Sequence, residues 1–220
     1  MGVLSRPVKP RPYDVSNRRI ASSETRERIL DEAETLLVDR GYTATTIAEV
    51  AARSEVHIDS VYRLVGRKPV LLRELIERAI SGEASAVDAE QRDYVQAIRA
   101  EPDPGLKLDI YAAAVLAIHE RMAPLYLALR EAAVTEPEAA EVWEQISDRR
   151  ALNMRRFMKD VAEAAGGLRS GIDLHEAADT VWAMNSAELY AMLVTERGWS
   201  PQRYERWLAQ SWRRLLLPDE

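Results

Sequence analysis

Apolar residues recur along most of the chain at helical spacing. Ile29, Leu30, Ala33, Leu36 and Leu37 fall on one stripe at steps of three, four and seven, which predicts a helix from Ser23 onward with one buried face. Gly41, just past the last periodic residue, suits a left-handed position that ends it. Thr46 and Glu49 form a T-x-x-E capping box, and Ile47, Val50 and Ala51 give a short second helix its apolar face. Ser54 to His57 reads as a turn. Ile58 to about Val65 then forms a third helix, with Val61 inward, Leu64 a second candidate for that side, and Tyr62 and Arg63 free to point elsewhere.

The pattern continues in longer helices. Gly66 interrupts the third helix, Pro69 begins a fourth, and Leu71, Leu72, Leu75, Ile76 and Ile80 supply its face until Gly82. A short helix is expected over Glu90 to Ala100. Asp103-Pro104 opens another, containing Leu106, Ile110, Ala113, Ala114 and Ala117, which should be interrupted near Pro124 and followed by a segment to about Val134. Glu136-Pro137 starts a helix expected to reach Gly166-Gly167. Asp173, three residues before Glu176, caps the next, running to Gly198. Ser200-Pro201 begins the last, whose stripe is Tyr204, Trp207, Leu208, Ser211, Trp212 and Leu215. No segment alternates as a strand should and no repeat is visible, so the predicted class is all-α.

Composition narrows the picture. At 220 residues with 47% hydrophobic positions, the chain can build one generous core or two small ones. No apolar run approaches the roughly 18 to 20 residues needed to cross a bilayer, and no membrane role is expected. Cysteine is absent, which suits a reducing cytoplasm. The net charge of −6 speaks against nucleic acid until its distribution is considered: residues 1–80 hold 14 basic and 12 acidic side chains, residues 81–220 hold 16 and 24. Arg53, Arg63, Arg67, Lys68 and Arg73 cluster around the third helix. Residues 1–22, with Pro7, Pro10 and Pro12 among basic residues, read either as a mobile arm that enters a minor groove or as a solvated tail.

Three short helices with a tight turn between the second and third suit DNA reading, because a helix fits the major groove while its partner crosses the backbone. Spacing alone also fits any small helical bundle. The segment ILDEAETLLVDRGYTATTIAEVAARSEV, with the tyrosine and lysine of SVYRLVGRK, resembles the N-terminal domain of the tetracycline-repressor (TetR) family of bacterial transcriptional regulators over about fifty residues. The resemblance implies that Thr46 is a phosphate-contacting cap, that Tyr62 bonds a backbone phosphate, and that Lys68 is a phosphate-binding lysine at the start of the fourth helix. His57, Ile58, Asp59, Ser60 and Arg63 are then the candidates for base contact. Three residues depart from the family pattern: His57 replaces its frequent serine cap and is expected to cap poorly, Asp59 replaces glycine, and Val65 replaces phenylalanine. Asp59 either accepts from a cytosine amino group or caps its own helix.

The second half shows no catalytic motif: its histidines are scattered, and it has no H-E-x-x-H, Walker loop or G-x-S-x-G. No enzyme activity, metal or cofactor is expected. The resemblance places His119, Met122, Tyr126, Trp143, Met154, Phe157, Trp182 and Asn185 around an effector cavity for a largely apolar or aromatic small molecule. The last two helices are apolar on two sides, which calls for two packing partners. The resemblance supplies a homodimer interface there, and Met184, Ala191, Val194, Trp207, Ser211, Trp212 and Leu215 are its candidates. The expected organisation is therefore an arm over 1–22, a helix-turn-helix domain over 23–67, and an effector-binding and dimerisation domain over 68–220. The expected function is a repressor released from a palindromic operator by its effector. A constitutive DNA-binding regulator shares every N-terminal feature of this reading, and a helical small-molecule-binding or catalytic protein without DNA function shares the C-terminal ones.

Overall fold

The computed structural model describes residues 15–82 and 88–219; the proline-rich part of the expected arm, residues 1–14, lies outside the described residues. Ten α-helices follow in order: α1 Val15–Ala44, α2 Ile47–Arg53, α3 Ile58–Val65, α4 Lys68–Ser81, α5 Asp93–Ala100, α6 Pro104–Ala133, α7 Pro137–Glu163, α8 Leu174–Met184, α9 Ala187–Tyr190 and α10 Pro201–Leu216. A 3₁₀ turn, Ala89–Gln91, precedes α5, and a π-helical turn, Ala191–Glu196, extends α9. The described residues contain no strand. α1 begins eight residues ahead of the predicted Ser23, so part of the expected arm is helical. Its regular run breaks at Gly41, which adopts φ 77°, a conformation that favours glycine.

Helices α1 to α4 share one core. The α1 stripe Ile29, Leu30, Ala33, Leu36 and Leu37 is buried, together with Val50, Val61, Leu71 and Leu72. α3 anchors on Val61 and Val65, while Leu64 is only half-buried; Val65 carries the inward role that the pattern offered to Leu64. Two arginines of α1 secure the turn from outside the core: Arg28 Nε donates to the Ser54 carbonyl at 3.0 Å and Arg26 Nε to the Leu64 carbonyl at 3.2 Å. Backbone acceptors at helix ends are thereby satisfied by side chains, as an exposed turn requires.

α6 is the axis of the larger part, packing against α1, α4, α5, α7, α9 and α10. It runs unbroken through Pro124, contrary to the predicted interruption. Proline in a helix interior costs about 3 kcal/mol, but the residues around it, Met122, Ala123, Leu125 and Tyr126, are all buried, and that packing holds both halves in line. Among the described residues α6 is long and apolar enough to cross a membrane, where the sequence reading saw no such run. Half of its 30 residues are buried in the fold, as befits a core helix.

The predicted helix from Asp173 to Gly198 is divided. Asn185 leaves helical geometry with ψ 58°, and Ser186 caps α9 by accepting from the Leu189 amide. The break turns the Asn185 amide inward, where Nδ2 donates to the Tyr111 hydroxyl at 2.6 Å. α7 ends at Glu163, ahead of Gly166-Gly167. α10 is pinned to α6 by a two-pronged pair in which Arg213 donates to Asp109 at 2.8 and 2.5 Å. The Arg213 guanidinium lies where a Cβ on Gly105 would stand, so a side chain there would have to displace it.

Candidate nucleic-acid interface and the chamber behind it

The capping residues set the geometry of α2 and α3. Thr46 is exposed and accepts from the Glu49 amide at 3.1 Å, which satisfies an orphan donor of α2; the Glu49 carboxylate pairs with Arg40 instead of reaching back. His57, expected to cap poorly, does cap: its Nδ1 accepts from the Asp59 amide at 3.3 Å. Imidazole carries an acceptor nitrogen when neutral, so it can replace the serine hydroxyl. The Asp59 carboxylate stays beside the same ring, with Oδ2 3.3 Å from Nδ1. Glu55, in the turn, adopts φ 55°.

Exposure separates the candidate base contacts. His57, Asp59, Tyr62 and Arg63 are exposed, whereas Ile58 and Ser60 are half-buried, and Ile58 packs against the core. Arg63 makes no ion pair among the described residues, while two other members of the basic cluster are engaged: Arg53 with Glu32 at 2.7 Å, and Arg67 with Glu138. Lys68 is engaged too. Its Nζ stands 3.7 Å from the centroid of the Tyr42 ring, and burial pulls its pKa below the ordinary lysine value despite the opposing charge of Glu136. Tyr42 in turn donates to Glu136 Oε2 at 2.6 Å. α4 and α1 therefore meet the start of α7 through one cluster of Lys68, Tyr42, Glu136, Arg67 and Glu138.

Behind this interface the larger part holds a cavity of about 260 Å³ between α5, α6 and α7, walled by Tyr94, Tyr111, Met154 and Phe157. Of the eight expected effector residues, only Met154 and Phe157 line it. His119, Met122 and Tyr126 lie on the face that α6 turns away from it, while Asn185 reaches the Tyr111 hydroxyl and the Met154 sulfur behind its wall. His119 packs against Tyr190 and Tyr204, with ring centroids at 5.4 and 6.4 Å, and Met122 and Tyr126 are buried in the core. Trp182 lies under the Arg150 guanidinium, 4.5 Å from its ring centroid, and Trp143 packs beside the core. Burial, reinforced by the charge of Arg150, lowers the His119 pKa to about 3, so this imidazole is neutral.

Two charged residues of this region were missed. Lys107 is buried and donates to the Ile98 carbonyl at 2.6 Å and to Asp160 at 2.9 Å, tying α5, α6 and α7 together. Arg150 lies on the inward face of α7, where the spacing Trp143, Ile146, Arg150, Met154, Phe157 could have revealed an arginine within an apolar stripe.

Among the expected interface residues, Trp212 is wrongly placed. It is fully buried in its own chain and stacks on Tyr111, with centroids 5.5 Å apart and planes at 18°, so its stripe position faces inward. Leu215 is exposed, and Met184, Ala191, Val194, Trp207 and Ser211 are half-buried. Exposed Met192 joins them.

Residues 29–75 match the family described as bacterial regulatory proteins, tetR family. An uncharacterized HTH-type transcriptional regulator of Bacillus subtilis (strain 168), YvkB, is 35% identical over 69 residues, covering 31% of this chain and 36% of the relative; the match thus spans about a third of either protein. Solved structures resemble the chain over most of its length. A transcriptional regulator from Saccharomonospora viridis in complex with choline superposes with TM-score 0.69 at 18% identity, covering 90% of this chain and all of its own. NalD, the secondary repressor of the MexAB-OprM multidrug efflux pump in Pseudomonas aeruginosa, superposes with TM-score 0.68 at 18% identity, covering 91% of this chain and all of its own. Residues 29–75 thus carry the N-terminal domain of the tetR family of bacterial regulatory proteins, within a fold that the chain shares with these solved structures over most of its length.

Proposed function

We propose that the protein is a cytoplasmic, homodimeric transcriptional repressor that binds a palindromic DNA operator and leaves it when a small molecule occupies the chamber between α5, α6 and α7. The observation that carries this reading is the outward face of α3: His57, Asp59, Tyr62 and Arg63 are exposed while Val61 and Val65 anchor the helix. A two-turn helix held from behind and polar in front is suited to a major groove. Thr46, Tyr62 and Lys68 would hold the phosphates, and His57, Asp59 and Arg63, with smaller parts for Ile58 and Ser60, would meet base edges. Lys68 must leave the Tyr42 ring to do so.

Two copies would pair through α8 to α10, where Leu215, Met192, Trp207 and Val194 leave apolar surface uncovered. Pairing places two reading helices about 34 Å apart, one DNA turn. Release follows as a population shift: a ligand that binds better when the reading helices are wrongly spaced lowers operator affinity by linkage. α4 and the contact from Tyr42 to Glu136 are the proposed route between the two regions. The ligand complex and the repressor among the structural relatives support this reading.

Selection of duplexes from a random library by the purified chain tests it. Enrichment of a two-fold symmetric sequence is expected; recovery of unenriched duplexes would overturn the proposal.

A further inference from the structure

Arg150 lacks the partner its position calls for. Its side chain is half-buried between α7 and α8; one terminal nitrogen donates to the Trp182 carbonyl at 2.7 Å, and the guanidinium lies over the Trp182 ring. Its Nε is buried without any hydrogen-bond partner, and it forms no ion pair with any described carboxylate. Most of the neighbouring acids are engaged elsewhere: Glu77 with Arg149 at 3.1 Å, Glu90 with Arg99 at 3.4 Å, Asp160 with Lys107, and Glu163 with Lys159 at 3.7 Å; Asp88, on the same cavity wall, forms no ion pair with Arg150. A buried cation with unmet donors is costly unless an anion completes it.

The space beside it fits such an anion. Arg150 lines a second cavity of about 250 Å³, together with Arg92, Arg149, Ile146 and Asn153, with Asp88 and Glu77 also on its wall. Ala89 and Asn153 are common to this cavity and to the aromatic one walled by Tyr94, Tyr111 and Phe157, so the two compartments adjoin. The first joins its aromatic wall to a charged rim that includes Glu90, Arg99, Arg156 and Lys159; the second presents three guanidinium groups beside two carboxylates. The field of Arg150 also reaches the aromatic side, where it opposes the upward push of burial on the Tyr111 pKa.

Resting on the effector reading above, we infer that the ligand is an organic monoacid, with an aromatic or aliphatic body between Tyr94, Tyr111 and Phe157 and a carboxylate received by Arg150 across the Ala89–Asn153 divide. Guanidinium suits this task because its donors match a carboxylate in a fixed fork. The stack on Trp182 holds the fork in place and supplies a reporter beside the site.

The test is a titration of the full chain, without DNA, followed by tryptophan fluorescence and calorimetry. The probes are 4-phenylbutyrate and octanoate, their neutral amides, and choline. Both carboxylates are expected to bind and to perturb the fluorescence, and the amides and choline to bind at least tenfold more weakly. Arg150→Gln is expected to weaken the carboxylates by about 30-fold or more, the loss typical of removing one member of a buried charged pair, while leaving the amides unchanged; Arg150→Lys should recover part of that loss. Arg130→Gln, which breaks only the pair with Glu188 away from both cavities, should change affinity less than threefold. A structural role for Arg150 would weaken every probe alike and overturn the assignment. So would equal binding of acid and amide, a preference for choline, or no carboxylate binding at millimolar concentration. Because no DNA is present, carboxylate binding by a chain that ignores operators would sink the regulator reading alone, and operator binding without carboxylate binding would sink this one alone.

Discussion

The hydroxyl of Tyr42 donates to the carboxylate of Glu136 at 2.6 Å, joining residues 94 positions apart. Tyr42 is buried behind the reading helices, and its ring also carries Lys68. The bond is therefore a direct tie between the α1–α4 block and the start of α7. Tyr42→Phe and Glu136→Gln should each lower unfolding stability, by up to about 1.5 to 3 kcal/mol, the range for hydrogen bonds to charged groups, and the double variant should lose little more. Urea unfolding of the four proteins measures the coupling; strictly additive losses would show that the bond contributes nothing.

His119 gives the fold an acid-sensitive element. Its folded pKa is about 3, below the roughly 6.5 of an unfolded imidazole. Between those values the unfolded chain binds a proton that the folded chain refuses, so this group's contribution to stability falls as pH drops through that window. The slope it adds is up to about 1.4 kcal/mol per pH unit. His119→Phe keeps a ring against Tyr190 and Tyr204 and should flatten the stability profile between pH 6.5 and 4. An unchanged profile in paired denaturation curves would refute the assignment.

Glu55 carries φ 55° in the turn before α3, where an L side chain is strained by roughly 1 kcal/mol. Glu55→Gly should raise stability by about 0.5 to 1 kcal/mol, and Glu55→Val, β-branched, should lower it. Thermal melts of both variants test the two signs together.

Much of this architecture can be read from the chain, for identifiable reasons. The α1 stripe, the Thr46 cap, the Ser200-Pro201 start and the α3 boundaries are local signals: spacing and capping act within one or two turns, and the structure keeps them. Features set by neighbours are hidden. Pro124 does not interrupt α6 because the helices around it bury both halves. The break at Asn185 depends on Tyr111, 74 residues away. His57 caps because its ring offers a nitrogen in the place of a hydroxyl. Most of the effector candidates lie away from the cavity walled by Tyr111 and Phe157 through helix rotation: on α6 and α8 the chosen aromatic and polar faces meet other helices, while Arg150, never selected, faces a cavity.

The last two helices separate fold from assembly. Trp212 is fully buried on Tyr111, so Trp212→Ala should lose about 3 to 5 kcal/mol of stability. Leu215 and Met192 are 45% and 53% exposed. Leu215→Asp combined with Met192→Asp should leave the helical content and the chain's own unfolding intact but convert a dimer to monomer in sedimentation velocity. A double variant that still sediments as a dimer would place the interface elsewhere.

The most direct measurement is the salt dependence of binding to a palindromic duplex selected by the protein, for the wild type, Lys68→Ala and Tyr62→Phe. If Lys68 and Tyr62 grip phosphates, the wild-type affinity falls steeply with salt through counterion release. Lys68→Ala should then flatten the log–log slope by about two, roughly one per protomer. Tyr62→Phe, which removes a neutral hydroxyl, should weaken binding with the slope retained. Duplex binding no tighter than to unrelated sequence, or slopes and affinities identical in all three proteins, would contradict the account.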